Sequence, residues 1–373
     1  MKLISVALAV LVGCVGTTDG DDEDLGGGDD STIGDPDTGL TDPGTGLDTS
    51  GSDGEGSASN LPEFHGRYGS PSIVRAGARL HAFFPIQGFQ GHTVHVAHAR
   101  SEDDGKTWLR VGDALPQLGP GVKPGSSVWA PAAAKIGNQW VLYYSAVERG
   151  TEQHFCIFRA ESDHPGDAFR DHNDGPIVCP GSGHWAIDPY LVQDSDGSWW
   201  LEARYDKADH VNTISVRKLD ASGVDFAAGS EWHELTRIGK GGWEEPVMEN
   251  AALVQLSVPG AAPHWFVFYS GGSYRNNSYA VGYADCGTHI MGPCTKKTVA
   301  GPWLDNNAGL KMFGPGTPTF WPDAQGAQMM TVNTWKFSGG EANADNHGQI
   351  MHTFEVHVNP NGKPVSTFVR RNE

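Results

Sequence analysis

One unit recurs along this chain: a special residue, a short apolar strand, a polar or Gly-containing turn, then an aromatic-rich strand. It opens at Ser70-Pro71 with SIVRAGARLHAFFP, again at Trp129 with APAAAKIGNQWVLYYSA, and at Asp188 with PYLVQDSDGSWWLEARY. A fourth copy starts at Glu249 (NAALVQL, then HWFVFYS after a longer loop), and a fifth near Gly314 (GPGTPTFWPDAQGAQMMTVNTW). The starts are 59, 59, 61 and about 65 residues apart, which suits one four-stranded blade with its loops. The period therefore predicts an all-β fold, a five-bladed β-propeller over residues 61–373. Runs rich in Val, Ile, Tyr, Phe and Trp between Gly, Pro, Asn and Asp turns agree, and no long window has helical periodicity. In such a ring the innermost strand of every blade begins beside the central channel. Asp188 and Glu249, 61 positions apart, are then expected to face one pocket.

The first 60 residues have a different character. Lys2 and the apolar run Leu3–Val12 read as a signal peptide ending in Leu11-Val12-Gly13-Cys14, a box like that of bacterial lipoproteins. Residues 1–13 are the expected signal peptide and Cys14 the expected lipidated residue, which would place the protein in the cell envelope, anchored to the outer membrane by lipid. Residues 14–60 read as a disordered Asp/Gly/Thr-rich tether: positions 15–60 hold 13 of the 45 acidic residues, no Lys or Arg and no aromatic. Such a segment buries too little apolar surface to offset its chain entropy. Residues 61–373 then carry 32 acidic against 25 basic residues. That balance offers no basic surface for a nucleic-acid backbone. No run of 18 apolar residues follows the N-terminus, so a membrane contact is expected only through the anchor. A monomer is expected.

Besides Cys14 there are four cysteines, Cys156, Cys179, Cys286 and Cys294, an even number suited to disulfides in an exported chain. Cys286 and Cys294 are close enough to close one small loop, which leaves Cys156 with Cys179. A zinc site is the rival reading, but no Cys-x-x-Cys or His pair at ligand spacing accompanies them.

The segments CIFRAESDHPGDAF, GPIVCPGSGHWAIDPYLVQDSDG, WEEPVMENAALV, WFVFYSGGSYRNNSYAVGYADC and GPGTPTFWPDAQG resemble glycoside hydrolase family 43, five-bladed propellers acting on arabinose- and xylose-containing polysaccharides. The resemblance spans roughly residues 61–357. It implies an inverting glycosidase, in which an acid protonates the leaving oxygen and a base activates water on the opposite face, with a third carboxylate tuning the acid. By position, Glu249 corresponds to the general acid and Asp188 to the pKa modulator; Glu244, in Glu-Glu-Pro, is the rival acid. The family's base position, an Asp before Pro, is occupied here by Ser70, and a neutral hydroxyl cannot take a proton from water as a carboxylate does. Glu63 and His65 lie just upstream without matching a family position. The resemblance thus leaves an alternative open, a carbohydrate-binding propeller that has lost its base.

Other departures are Ala132 for a family Asp, Asn333-Thr-Trp335 for His-x-Trp, and Thr317 for a fifth-blade His that often lies near a central cation. No cofactor is required, and the replacement of that His leaves a central cation unsupported. Trp129, Trp185, Trp243 and Tyr274 are candidate sugar-stacking faces, although most propeller aromatics pack between blades. The series His92, His95 and His98 does not keep one face of a strand and is not expected to bind metal. The segment Ser101–Trp108 matches an Asp-box turn of six-bladed sialidase-like proteins. It occurs once, without an arginine cluster for a carboxylated sugar, and is read as a hairpin brace.

Overall fold

The computed structural model describes residues 69–85, 94–181, 183–206, 212–340 and 348–372. The signal peptide, Cys14, the tether, Glu63, His65 and His92 lie outside the described residues.

The described chain forms five sheets in sequence order. Blade 1 is β1 (Ser72–Ala76), β2 (Arg79–Pro85), β3 (Val96–Ser101) and β4 (Leu109–Asp113). Blade 2 is β5 (Trp129–Ile136), β6 (Gln139–Val147) and β7 (Phe155–Ser162). Blade 3 is β8 (Ala186–Gln193), β9 (Trp199–Tyr205), β10 (Thr213–Lys218) and β11 (His233–Arg237). Blade 4 is β12 (Met248–Leu256), β13 (His264–Gly271), β14 (Ala280–Asp285) and β15 (Thr295–Lys296), and blade 5 is β16 (Phe313–Pro322), β17 (Gln328–Trp335), β18 (Gln349–Val358) and β19 (Pro364–Asn372). All pairings within these sheets are antiparallel. Blade 2 lacks a regular fourth strand; two bridges, Ile157 to Val178 and Glu161 to Arg170, stand in its place.

Alternation along each strand sends successive side chains to opposite faces, so every blade fills two seams. In β2, Leu80, Ala82 and Phe84 pack with Trp321 and Met329 of blade 5, whereas Phe83 packs with Leu142, Tyr144 and Phe158 of blade 2. Tyr143 and Leu201 fill the seam between blades 2 and 3, Val216 and Leu253 that between 3 and 4, and Phe268 and Phe320 that between 4 and 5. Among the described residues no strand is exchanged between the first and last blades. The ring closes through side chains instead. Asp104, in the Asp-box turn of blade 1, accepts the backbone N–H of Ala324, Arg75 donates to Pro322 O at 2.8 Å, and Asn372 donates to Lys106 O at 3.1 Å. Within that turn Asp103 accepts from both the N–H and the hydroxyl of Thr107 at 2.8 and 2.7 Å. The box therefore braces a hairpin, as expected.

Five residues mark where each blade meets the axis. Ser70, Ala130, Asp188, Asn250 and Thr317 have φ of 40°, 42°, 57°, 46° and 49°, a left-handed backbone that costs a non-glycine residue about 1–3 kcal/mol. Four of them precede proline. In blades 2 to 5 the register between the first two strands shifts around this residue, so each inner strand is bulged there. The structural repeat therefore runs 70, 130, 188, 250, 317, which corrects three of the starts taken from the sequence: Trp129 and Glu249 lie one residue before the equivalent position and Gly314 three before it.

A hydrogen bond crosses each seam close to these bulges. Ala133 N–H donates to Ser72 Oγ (3.1 Å), Asp188 N–H to Ser145 Oγ (3.0 Å), and Asn250 N–H to Asp188 Oδ2 (3.0 Å). Thr317 N–H donates to Ser270 Oγ (2.7 Å) and Ile73 N–H to Thr319 Oγ1 (3.5 Å). Bulging frees backbone N–H groups from the ladder, and the neighbouring blade's polar side chains satisfy them.

Candidate active site

A cavity of about 300 Å³ opens at the axis, lined by Ser70, Trp129, Trp185, Ile187, Asp188, Arg204, Glu249, Tyr274, Tyr279, Asn333, Trp335 and Gln349 among others. Beneath it a void of about 30 Å³ is bounded by the five left-handed residues and their neighbours. The bulges account for this arrangement. Placing one residue of each inner strand in the left-handed region turns it, and the residue before it, toward the axis rather than into a seam.

Asp188 and Glu249 meet here, 5% and 9% exposed. Glu249 accepts from Tyr279 Oη at 3.0 Å (Oε1) and from Arg204 Nη1 at 3.4 Å (Oε2). Arg204 is held in turn by Asp206, through Nη2 to Oδ2 at 3.2 Å. Asp206 is fixed by accepting Asn212 N–H at 2.7 Å, and its own N–H donates to Trp185 O at 2.9 Å. Two charges removed from water need partners, and Arg204 serves both Glu249 and Asp206. Gly316 is required beside this cluster, because a Cβ there would lie 2.1 Å from the Tyr279 ring.

Burial dominates the electrostatics of the carboxyl pair. Desolvation raises Asp188 to about 7, with repulsion from Glu249 adding to it and Arg204 and the Asn250 N–H opposing. Glu249 is also raised by burial, against the pull of Arg204 and the Tyr279 hydroxyl. The two titrate as a pair, and the pair retains a proton further up the pH scale than exposed carboxyls do. One buried acid poised to donate beside a second carboxyl is what protonation of a leaving alkoxide requires.

The structure brings together most of the residues singled out from the sequence. Ser70, Trp129, Trp185 and Tyr274 line the cavity with the two carboxyls. Trp129 stacks on Phe155 at 3.9 Å between centroids and meets Trp185 edge-on at 6.2 Å. Trp243 lies elsewhere. Its indole N–H donates to Thr298 O at 2.6 Å, its ring stacks on Tyr269 in blade 4, and it is not among the cavity residues. Its apolar neighbourhood uses it as packing, which corrects its expected place as a sugar platform. Glu244 is likewise committed to blade 4, accepting from Lys296 Nζ, Tyr269 Oη and Gly239 N–H, each at 2.7 Å. His95 bonds Leu115 O and His98 bonds His81, so neither is presented to a common point.

The axial residues lack the imidazole that the resemblance implies beside a central cation. Thr317 stands where the family's His is expected and donates its hydroxyl to Asn333 Oδ1. Asp188 is the carboxylate among the residues bounding the void, with one oxygen engaged by Asn250 N–H. Both expected disulfides are formed, Cys156–Cys179 and Cys286–Cys294. Arg204, Tyr279 and Asp206 were not anticipated. The signal available was an Arg and an Asp in LEARYD and a Tyr in NNSYAVGY, polar atoms on segments otherwise suited to seams.

The sequence profile described as "Glycosyl hydrolases family 43" matches residues 61–362. The chain belongs to glycosyl hydrolase family 43. It is therefore a glycosidase, and its architecture agrees with solved members of similar shape. A thermostable family-43 glycoside hydrolase superposes with a TM-score of 0.65 at 17% identity, covering 82% of this chain and 94% of that one. An endo-1,4-β-xylanase from Bacteroides thetaiotaomicron gives 0.64 at 21%, covering 82% and 96%. An exo-1,5-α-L-arabinanase from a bovine ruminal metagenomic library gives 0.60 at 18%, covering 81% and 97%. No curated protein matches the chain.

Proposed function

We propose that this family 43 glycosidase cleaves glycosidic bonds of arabinose- or xylose-containing saccharides, with Glu249 as general acid and Asp188 holding that acid protonated. The observation that carries the reading is the buried Asp188–Glu249 pair lining one cavity, both carboxyls raised by desolvation. Xylanase and arabinanase names among proteins of the same shape support the sugar class. Trp129 and Trp185 offer flat apolar faces at the cavity wall for a sugar ring. Lipidation of Cys14 would set the site at the cell envelope, where such polysaccharide fragments arrive.

Ser70 lines the cavity, and by the resemblance it stands in the position of the family's base. Its hydroxyl positions a water but is too weak a base to deprotonate it near neutral pH. Turnover is accordingly slow, and Ser70→Asp supplies the missing carboxylate. The test is hydrolysis of aryl α-L-arabinofuranosides and aryl β-D-xylosides by the full chain, Glu249→Gln and Ser70→Asp. Slow turnover in the wild type, loss in Glu249→Gln and gain in Ser70→Asp are expected. Unchanged activity in Glu249→Gln would overturn the acid assignment, and activity only in Ser70→Asp would make the natural chain a saccharide-binding propeller.

A further inference from the structure

Away from the cavity, four metal-binding side chains converge on the edge where blade 2 lacks a regular outer strand. Val147 pairs with Phe155 and Ala146 with Cys156 at the end of the β6–β7 hairpin. One step further, Glu148 N–H donates to His154 O at 2.9 Å. Residues two apart on a strand share a face, as do residues paired across it. Glu148, His154 and Cys156 therefore share one face. Cys179 approaches that face from the segment bridged to Ile157. Phe155, on the opposite face, stacks on Trp129 in the cavity wall.

The four donor atoms cluster closely. Glu148 Oε2 is 3.1 Å from His154 Nδ1, and Cys179 Sγ is 3.7 Å from each of those atoms. With Cys156 Sγ included, the four lie within 4.8 Å of one another. Zinc bound by N, O and S ligands at its usual bond lengths has ligand-to-ligand edges of about 3.3–3.8 Å. Three edges are thus already near that length; opening the disulfide lets the two sulfurs separate and Cys156 Sγ take the fourth corner. Two thiolates, an imidazole and a carboxylate make a donor set suited to zinc. Glu148, a third exposed, and His154, 15% exposed, leave a path from solvent.

We propose that Glu148, His154, Cys156 and Cys179 form a zinc site in the dithiol state of the chain, an alternative to the Cys156–Cys179 disulfide. A dithiol reductant supplies two electrons and two protons to open the S–S bond and is itself oxidised to a disulfide. Zinc then displaces both thiol protons to solvent and binds two thiolates, His154 and the Glu148 carboxylate. Either staple secures the irregular edge of blade 2, from which the chain runs on to Trp185.

Cobalt reports such a site directly, because thiolate ligation produces a charge-transfer absorption and tetrahedral geometry intense visible bands. The full chain, reduced with a phosphine and desalted without oxygen, is titrated with Co²⁺ and then with Zn²⁺ in competition. Both bands are expected in the reduced chain at one Co²⁺ per chain, bleached by zinc and absent from the oxidised chain. They should persist in Cys286→Ser/Cys294→Ser and disappear in Cys156→Ser/Cys179→Ser. His154→Ala and the conservative Glu148→Gln should each weaken binding roughly tenfold or more. No bands in the reduced wild type, bands surviving loss of Cys156 and Cys179, or affinities unchanged in both single variants would overturn the proposal. If reduction unfolds the chain, zinc must restore the near-UV circular dichroism of the oxidised form, and failure to do so counts equally against the site.

Discussion

Asp188 Oδ2 accepts the backbone N–H of Asn250 at 3.0 Å across the seam between blades 3 and 4. That contact ties the modulating carboxyl to the backbone of the residue directly after Glu249. It also uses one oxygen of Asp188, leaving the other available to the cavity.

Glu249→Gln should lower kcat/KM for an aryl glycoside with a poor leaving group by roughly 10²–10⁴-fold. A dinitrophenyl glycoside, whose leaving group needs no proton, should lose far less. Equal losses on both substrates would show that Glu249 does not donate that proton.

Arg204→Met should move the alkaline limb of the pH–rate profile upward. Arg204 pulls the Glu249 carboxyl down against burial, and without it burial acts unopposed. An acid catalyst is active while protonated, so a higher pKa extends activity toward alkaline pH. A limb that stays in place, measured as kcat/KM against pH, would mean that Arg204 does not set it.

Glu202 is wholly buried between blades 3 and 4. Its Oε2 accepts Leu253 N–H at 2.7 Å, its Oε1 has no partner among the described residues, and burial pushes it from 4.5 to about 8. The folded protein holds this proton between those values while the unfolded chain releases it, so this group's contribution to stability falls as pH rises from about 4.5 to about 8. Glu202→Gln keeps an acceptor without the titration. Its Tm relative to wild type should climb by roughly several degrees between pH 5 and pH 9, and a constant difference across that range would refute the burial account.

His81 and His98 share a buried hydrogen bond of 2.9 Å, and burial lowers them from 6.5 to about 4 and about 3. Here the unfolded chain takes up protons first, so their contribution is complete above pH 6.5 and is lost as pH falls toward 4. The drop in Tm from pH 7 to pH 4 should be smaller in His98→Gln than in wild type. Identical drops would place acid sensitivity elsewhere.

Trp129→Ala and Trp243→Phe should separate function from packing. The first removes a cavity wall and should raise KM about tenfold with little change in Tm. The second disturbs the Thr298 contact in blade 4 and should lower Tm while leaving KM unchanged. The opposite pattern, read by steady-state kinetics and thermal unfolding, would return Trp243 to the site.

Much of this was legible along the chain. The 60-residue period gave blade number because each repeat must bury its faces against its neighbours. Asp188 was legible because it opens a repeat and Glu249 because it lies one residue before the next opening, in segments that resemble family 43. Trp243 was misplaced because an aromatic on a blade reads the same whether it faces the axis or a seam. Arg204, Asp206 and Tyr279 escaped notice because their roles depend on partners in other blades or past a turn. His154 and Glu148 escaped notice because Cys179 joins their hairpin from a separate segment.

By itself the amino-acid order determined the repeat and the strands, local properties of apolar alternation and turn chemistry, while the resemblance to family 43 pointed to the two acids. Tertiary structure alone decided which side chains share the cavity, that Arg204 balances Glu249 against Asp206, and that a glycine at 316 leaves room for Tyr279. Those outcomes depend on side chains from different blades meeting near the axis, where left-handed bulges and loss of water set orientation and charge together.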